Sequence, residues 1–367
     1  MADKTVVALL FGGRSSEHSI SCATAGGVLR AIDRSRYEVI PVGITHDGAF
    51  VLEDDDATKF TLDPAHLPEV HDNGTRVHWP ESAVSRELTV VDAQGAVRLL
   101  GAVDVVFPIL HGPYGEDGTI QGLLDLVGLP YVGAGVLASA LGMDKHFTKT
   151  VLSQAGIAVA PWHTVTAREW ASSPSSVADL VGSLALPVFV KPARAGSSVG
   201  VSKVKEWGEL AAAMTVAFAE DDRVLIEEGI VGREVECGVL QGRSGASARA
   251  SVAGEIVMTG REFYDFDAKY LDAPGIELVC PADLTAAELA EMQSLAVRAF
   301  AAIGCEGLAR VDFFLTPGGF VINEINTMPG FTPISMFPKC WIATGLSYPE
   351  IIDELIALAL EPYAFAR

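Results

Sequence analysis

Basic residues are scarce in this 367-residue chain: 26 Lys and Arg stand against 47 Asp and Glu, a formal net charge of −21. So acidic a surface repels nucleic acid and anionic membranes, whose binding depends on basic patches. Neither partner is expected, and a phosphate-bearing ligand must be held by local cations, backbone N–H groups or a metal. Cysteine is sparse too. Cys22, Cys237, Cys280, Cys305 and Cys340 are scattered and odd in number, without the CxxC or Cys/His spacing of a zinc site. Buried free thiols in a reducing cytoplasmic compartment are expected. MADKTVVALLFGG lacks the basic region, long apolar core and cleavage site of a signal peptide. No long apolar run survives inspection either. The uncharged stretch 126–143 is broken by Pro130, Gly128, Gly133, Gly135 and Gly142, and reads as buried strand, turn and helix start.

What is present is globular: 49% hydrophobic and 20% charged residues, in a chain long enough for two or three domains. VVALLF (6–11), YEVIPVGIT (37–45) and VDVVFPIL (103–110) read as buried strands. Helical patterns begin near Ser16-Glu17 and cover 118–127, and a short strand is expected near 130–132. This alternation predicts a doubly wound parallel α/β unit. The polar, acidic stretch 46–100 reads as an insertion of loops and short strands at its edge. A second block carries a helix at 144–155, LPVFVKP (186–192), a glycine–serine loop, a helix at 206–219 and the strand RVLIEE (223–228). The third block is richer in strands: REVECGVL, ARVDFFLT and GFVINEIN. It also holds a helix at 285–304 and a terminal amphipathic helix opened by a Ser347–Glu350 capping box. Short Ser/Gly stretches at 172–176 and 242–247 read as surface loops. The expected division is an N-terminal α/β domain, 1–133, a central domain, 134–228, and a C-terminal domain, 229–367.

Five segments could carry chemistry. In RVDFFLTPGGFVINEIN (310–326), two strands joined by Pro317-Gly318-Gly319 make a hairpin. Period-2 alternation points Glu324 and Asn326 to one face, and cross-strand pairing can bring Asp312 beside them. Those hard oxygen donors with Arg310 nearby suit Mg²⁺ on phosphate oxygens; the solvent face of an ordinary hairpin is the alternative. In VFVKPARAGSSVGVSKV (188–204), a strand delivers Lys191 before a Gly-Ser-Ser loop whose N–H groups can wrap phosphate; a plain surface loop is the alternative. FGGRSSEHSIS (11–21) joins a strand to a helix N-terminus, an anion site by geometry, but it does not satisfy the GxGxxG of a nicotinamide site. HGPYGEDGTIQG (111–122) is a glycine-rich loop at a strand's carboxyl end, where α/β sheets keep ligands. EFYDFDAKYLDAPG (262–275) has no clean period and reads as a loop packed over something.

In order along the chain, FGGRSSEHSIS, HGPYGEDGTIQG, MDKHFTK, VKPARAGSSVG, LIEEGIVGREVE, FYDFDAKY, RVDFF and NEINTMPGFTPISMFPK resemble the ATP-grasp superfamily. Within it they resemble the D-alanine–D-alanine ligase family. The resemblance implies an N-terminal doubly wound α/β domain followed by central and C-terminal ATP-grasp domains, α+β in the C-terminal part. It implies ATP-dependent ligation of two D-alanines through a D-alanyl phosphate for peptidoglycan synthesis, in a cytoplasmic homodimer. By resemblance, Lys145 and Lys191 hold the nucleotide phosphates, with Ser198 and Lys269 also at the nucleotide. Glu227, Glu228 and Ile230 line the adenine edge, and Glu234 takes the ribose hydroxyls. Asp312, Glu324 and Asn326 bind two Mg²⁺, for which Mn²⁺ can substitute. Glu17 meets the first D-alanine's ammonium, with His111 near its carboxylate. Arg310 and the Gly330 backbone stabilise the oxyanion, and Ser335 and Met336 meet the second D-alanine. Glu17, Ser197 and Tyr270 are similar to a hydrogen-bonded triad that ties the loop over the site. Tyr270 in FYDFDAKY favours an amine over a hydroxyl acceptor such as D-lactate.

Overall fold

The structure is a computed structural model that describes residues 4–63, 65–258 and 275–361. Its first sheet has the order Phe50–Leu52, Tyr37–Ile44, Thr5–Gly12, Val105–Ile109. The last three strands are parallel, and Phe50–Leu52 adds antiparallel at the edge. Alternation along Thr5–Gly12 sends Val7, Leu9 and Phe11 into one apolar cluster and Ala8 and Leu10 into another. Burial on both faces is what turns such strands into continuous apolar runs. The helix Thr119–Leu126 covers one face through Ile120 and Leu124. The helix His18–Ala31 covers the other with Cys22, Ala25 and Val28. Tyr348–Ala359 joins it there through Ile351, Ile352 and Leu355, so the end of the chain completes the core that the start of the chain opens.

Part of the 46–100 insertion folds as a three-stranded antiparallel sheet, Arg76–His78, Glu87–Val91 and Val97–Ala102. A second four-stranded sheet has the order Ser202–Val204, Val188–Pro192, Arg223–Glu228, Trp162–Thr166, all antiparallel. The largest sheet has six strands, with Arg233–Leu240, Leu308–Thr316 and Gly319–Asn326 as neighbours. Ala286–Ala302 packs on it through Met292, Ala296, Ala299 and Phe300. Thr285 and Glu288 cap that helix reciprocally, as Ser347 and Glu350 cap the terminal one.

Three local expectations change. The strand near 130–132 is a single bridge, Tyr131 to Val106. The 126–143 stretch is not uniformly buried: Leu126 and Leu137 are exposed, because each eight-residue helix there turns only one stripe inward. The 172–176 stretch is not a loop, since Ala167–Ser172 is helical and Pro174–Val181 begins the next helix. Proline at a first helical position loses no hydrogen bond, so it starts helices readily. Of the cysteines, Cys280 is partly exposed while the other four are buried, and all five are free. No helix among the described residues is long and apolar enough to cross a membrane.

Candidate active site

The two antiparallel sheets of the second and third blocks, with the loops and helix that leave the first sheet, line a cavity of about 870 Å³. Every described residue singled out from the sequence lines it; Lys269 and Tyr270 lie outside the described residues.

The amino-terminal wall forms at the carboxyl ends of two adjacent parallel strands, the usual ligand edge of such sheets. Gly12 has φ of 89°, and a Cβ there would lie 2.4 Å from the Ile44 carbonyl oxygen, so only glycine makes this turn. The turn brings Glu17 to the helix start, and Ser15 Oγ donates to the His111 carbonyl at 2.7 Å, joining the two loops. His111 Nδ1 donates to the Met328 carbonyl at 3.2 Å, which leaves Nε2 facing the cavity with no partner in the protein. Burial lowers the His111 pKa against the pull of Glu17. A substrate carboxylate beside Nε2 would favour the charged ring instead. Glu116, in the same loop, accepts from the Gly112 N–H at 2.8 Å. Withdrawal from water, followed by the nearby Glu17 charge, raises its pKa to about 8.

The opposite wall is rich in lysine. Asp144 caps the helix Lys145–Gln154 and orients it by an ion pair to Arg223 at 2.9 Å. Lys145 Nζ donates to the Ala195 carbonyl at 2.7 Å, at the root of the glycine–serine loop. Glu227 is held between two cations: Lys149 Nζ lies 2.9 Å from Oε2, and Lys191 Nζ contacts Oε1. Burial alone would raise the Glu227 pKa, but the charges of Lys191 and Lys149 bring it down to about 2. The Glu228 carboxylate accepts from the Ala185 N–H at 2.8 Å. Ser197 and Ser198 both have positive φ, 49° and 60°, strained values for non-glycine residues. They turn the loop so that Ser197 Oγ donates to Glu17 Oε1 at 2.6 Å, across the cavity mouth.

The floor is the hairpin. Asp312 lies directly opposite Glu324 and Arg310 opposite Asn326. A bulge between Asp312 and Phe313 shifts the pairing, so that Phe313 faces Ile322. Asn326 Nδ2 donates to Asp312 Oδ2 at 3.0 Å, and Arg310 donates twice to Asp312, each at 2.7 Å. Arg310 Nε also lies 2.5 Å from Glu236 Oε2. Its pKa is raised well above normal by Asp312 and Glu236, although burial opposes this. Asp312 and Glu324 opposite each other, with the Asn326 amide oxygen beside them, make a hard oxygen donor set. That chemistry fits a divalent cation. Beyond it, Thr332 N and Oγ1 both meet Ser335 Oγ, at 3.2 and 2.7 Å, fixing it at the start of Met336–Thr344.

Three residues in or behind the cavity wall were not singled out from the sequence. Lys149 stands four residues after Lys145, one helical turn on the same face. Glu236 stands two after Glu234, so it shares that residue's strand face. Glu116 lies inside the HGPYGEDG loop. Each signal is a spacing, and none says which partner it meets.

A nucleotide-sized cavity with lysines at one end and hard oxygen donors at the other, closed by a glycine–serine loop, defines an ATP-grasp ligase. Residues 6–134 match the family model described as D-ala D-ala ligase N-terminus, and residues 151–357 match D-ala D-ala ligase C-terminus. A D-alanine–D-alanine ligase of Paenarthrobacter aurescens is 55% identical over 96% of this chain and 94% of its own. The solved D-alanine-D-alanine ligase of Coxiella burnetii has a TM-score of 0.81 at 37% identity, over 98% of this chain and 94% of its own. The VanG D-Ala:D-Ser ligase of Enterococcus faecalis has a TM-score of 0.83 at 35% identity, over 97% and 100%. The chain belongs to the D-alanine–D-alanine ligase family, and it is an ATP-dependent ligase that uses a divalent metal.

Proposed function

We propose that this cavity joins two D-alanines to D-alanyl-D-alanine, the dipeptide required for peptidoglycan precursors, with the following residues in the following roles. A carboxylate is a poor electrophile until it gains a leaving group. ATP therefore transfers its terminal phosphoryl group to the carboxylate of one D-alanine, leaving ADP, and the amine of the second attacks the resulting D-alanyl phosphate, expelling inorganic phosphate and losing a proton as the peptide bond forms. Lys145 and Lys191 hold the phosphates, and Ser198 contributes from the loop. Glu227, Glu228 and Ile230 border the adenine, and Glu234 meets the ribose. Glu17 takes the first D-alanine's ammonium while His111 meets its carboxylate. Arg310 and the Gly330 backbone face the developing oxyanion, and Ser335 and Met336 place the second D-alanine. Asp312, Glu324 and Asn326 would hold two Mg²⁺, or Mn²⁺ in their place. The cations would neutralise phosphate oxygens.

The observation that carries the reading is the Ser197–Glu17 hydrogen bond, 2.6 Å between residues 180 apart in sequence. It links the loop over the phosphate end to the residue at the amino-acid end. One closure then excludes water from both the acyl phosphate and its attacker. Tyr270 and Lys269 keep their roles as expectations from the family resemblance. The same resemblance supports a cytoplasmic homodimer and the three-domain division at 134 and 229.

The test is ADP release with Mg-ATP and D-alanine, the product identified by mass, beside L-alanine, D-serine and D-lactate. A D-alanyl-D-alanine mass with no L-alanine product is expected. A dominant D-alanyl-D-serine or a depsipeptide at neutral pH would replace the acceptor in this reading. ATP binding without any D-alanine-dependent ADP would remove the ligase reading itself.

A further inference from the structure

Glu236 has no role in the reaction as assigned above, yet it is among the most enclosed charges in the cavity wall. Its side chain is 5% exposed, and it faces the Arg310 guanidinium, itself 16% exposed, at 2.5 Å. The register places Glu236 directly across from Asp312 on the neighbouring strand. Like charges at such a position repel, and here both are withdrawn from bulk water. Arg310 is what makes the pair tolerable: it donates twice to Asp312 while its Nε touches Glu236. Asp312 therefore belongs both to Arg310 and to the donor set with Glu324 and Asn326.

Those two demands compete. A cation drawing on the Asp312 oxygens removes electron density from the Arg310 hydrogen bonds and repels the guanidinium. A guanidinium that lost its carboxylate there would swing towards the next anion in the cavity. The geometry points to Glu236 as a positioning residue: it retains Arg310 at the cavity wall when Asp312 turns to the metal, so that metal loading and oxyanion placement need not exclude each other. The inference rests on the assignment of Asp312 to the metal and of Arg310 to the reacting group.

Glu236→Gln tests it, because the amide keeps size and an acceptor but loses the charge. Arg310 then has Asp312 as its stronger partner, and the metal must compete for it. Mn²⁺ titration of the full chain with a non-hydrolysable ATP analogue, read by electron paramagnetic resonance, is expected to show about tenfold weaker binding. With saturating Mg-ATP and D-alanine, kcat should fall about tenfold while the KM for ATP stays within twofold. A purely structural role would lower the melting temperature without this split. Wild-type Mn²⁺ affinity and kcat in the folded variant would overturn the proposal. If Glu236→Gln does not fold, Glu236→Asp carries the test, since it keeps the charge and shortens the reach. It should hold Mn²⁺ affinity within twofold and lower kcat about fivefold, and an unchanged kcat overturns the proposal. An Asp312→Asn control separates the two levels: if it binds Mn²⁺ as wild type does, the metal assignment itself fails.

Discussion

The two ends of the cavity are each built around a shared ion, with opposite signs in surplus among the described residues. At the lysine end one carboxylate, Glu227, serves two cations, Lys149 and Lys191. At the hairpin end one guanidinium, Arg310, serves two carboxylates, Asp312 and Glu236, with Glu324 close enough to raise its pKa further. A balanced ion pair is saturated and has no use for a ligand. An unbalanced one has a spare charge directed at the space between, and here the two spare charges suit the two halves of a metal–triphosphate. The difference teaches that each cluster has a central member, which the fold needs as well as the ligand, and surplus members, which only the ligand needs. Removing one kind should unfold the site, and removing the other should only empty it.

The largest effect should come from the central member of the lysine end. Glu227→Ala leaves Lys149, 3% exposed, charged without its buried carboxylate. Breaking a buried pair in this way typically costs about 3–5 kcal/mol, which chemical denaturation can measure. Acid should act in the same direction. The Glu227 pKa falls from the usual 4.5 to about 2 on folding. Its contribution is therefore present above pH 4.5 and lost as pH falls towards 2. A variant as stable as wild type at pH 7 would break the division into central and surplus members.

Lys191→Ala removes a surplus member. Glu227 keeps Lys149, so the melting temperature should shift little. ATP binding, read by calorimetry, should weaken roughly ten- to hundredfold, the worth of one hydrogen bond to a charged group at about 1.5–3 kcal/mol. Wild-type ATP affinity would remove Lys191 from the phosphates. A collapse in stability instead would sharpen the comparison differently, by making both lysines central.

This division could not be read from the sequence, although its parts could. Asp312, Glu324 and Asn326 were legible because a Pro-Gly turn between two alternating strands fixes which side chains share a face. The bulge after Asp312 was not, since a register shift depends on how the two strands twist against each other. Lys191 was legible at the end of its strand, but Lys149 looked like any helical lysine until its partner arrived from the strand Arg223–Glu228. Glu236 is the same case: alternation gives its face, and only the pairing with Leu308–Thr316 gives Arg310. The terminal helix shows its capping box and apolar stripe plainly, yet nothing local says that Ile351 and Leu355 will pack on the first sheet. Local periods fix faces, whereas partners come from contacts distant in sequence. Apart from Arg310 and Asp312, two residues apart on one strand, the shared ions of this cavity consist of such contacts.

The last effect concerns a carboxylate that belongs to neither cluster. Glu116 sits beside Glu17 and has the Gly112 N–H as its hydrogen-bond donor. Its pKa rises from the usual 4.5 to about 8. The folded protein therefore binds a proton there that the unfolded chain has already lost, so this group makes stability fall as pH rises from about 4.5 to about 8. Glu116→Gln mimics the protonated form at every pH. Its melting temperature should match wild type near pH 5 and exceed it by an amount that grows as pH rises to 8.5. A gap that stays constant with pH would mean that Glu116 is ionised throughout and already compensated. Glu116 and Glu17 would then stand as two charges side by side, and the assignment of a single charge to the amino-acid end would be wrong.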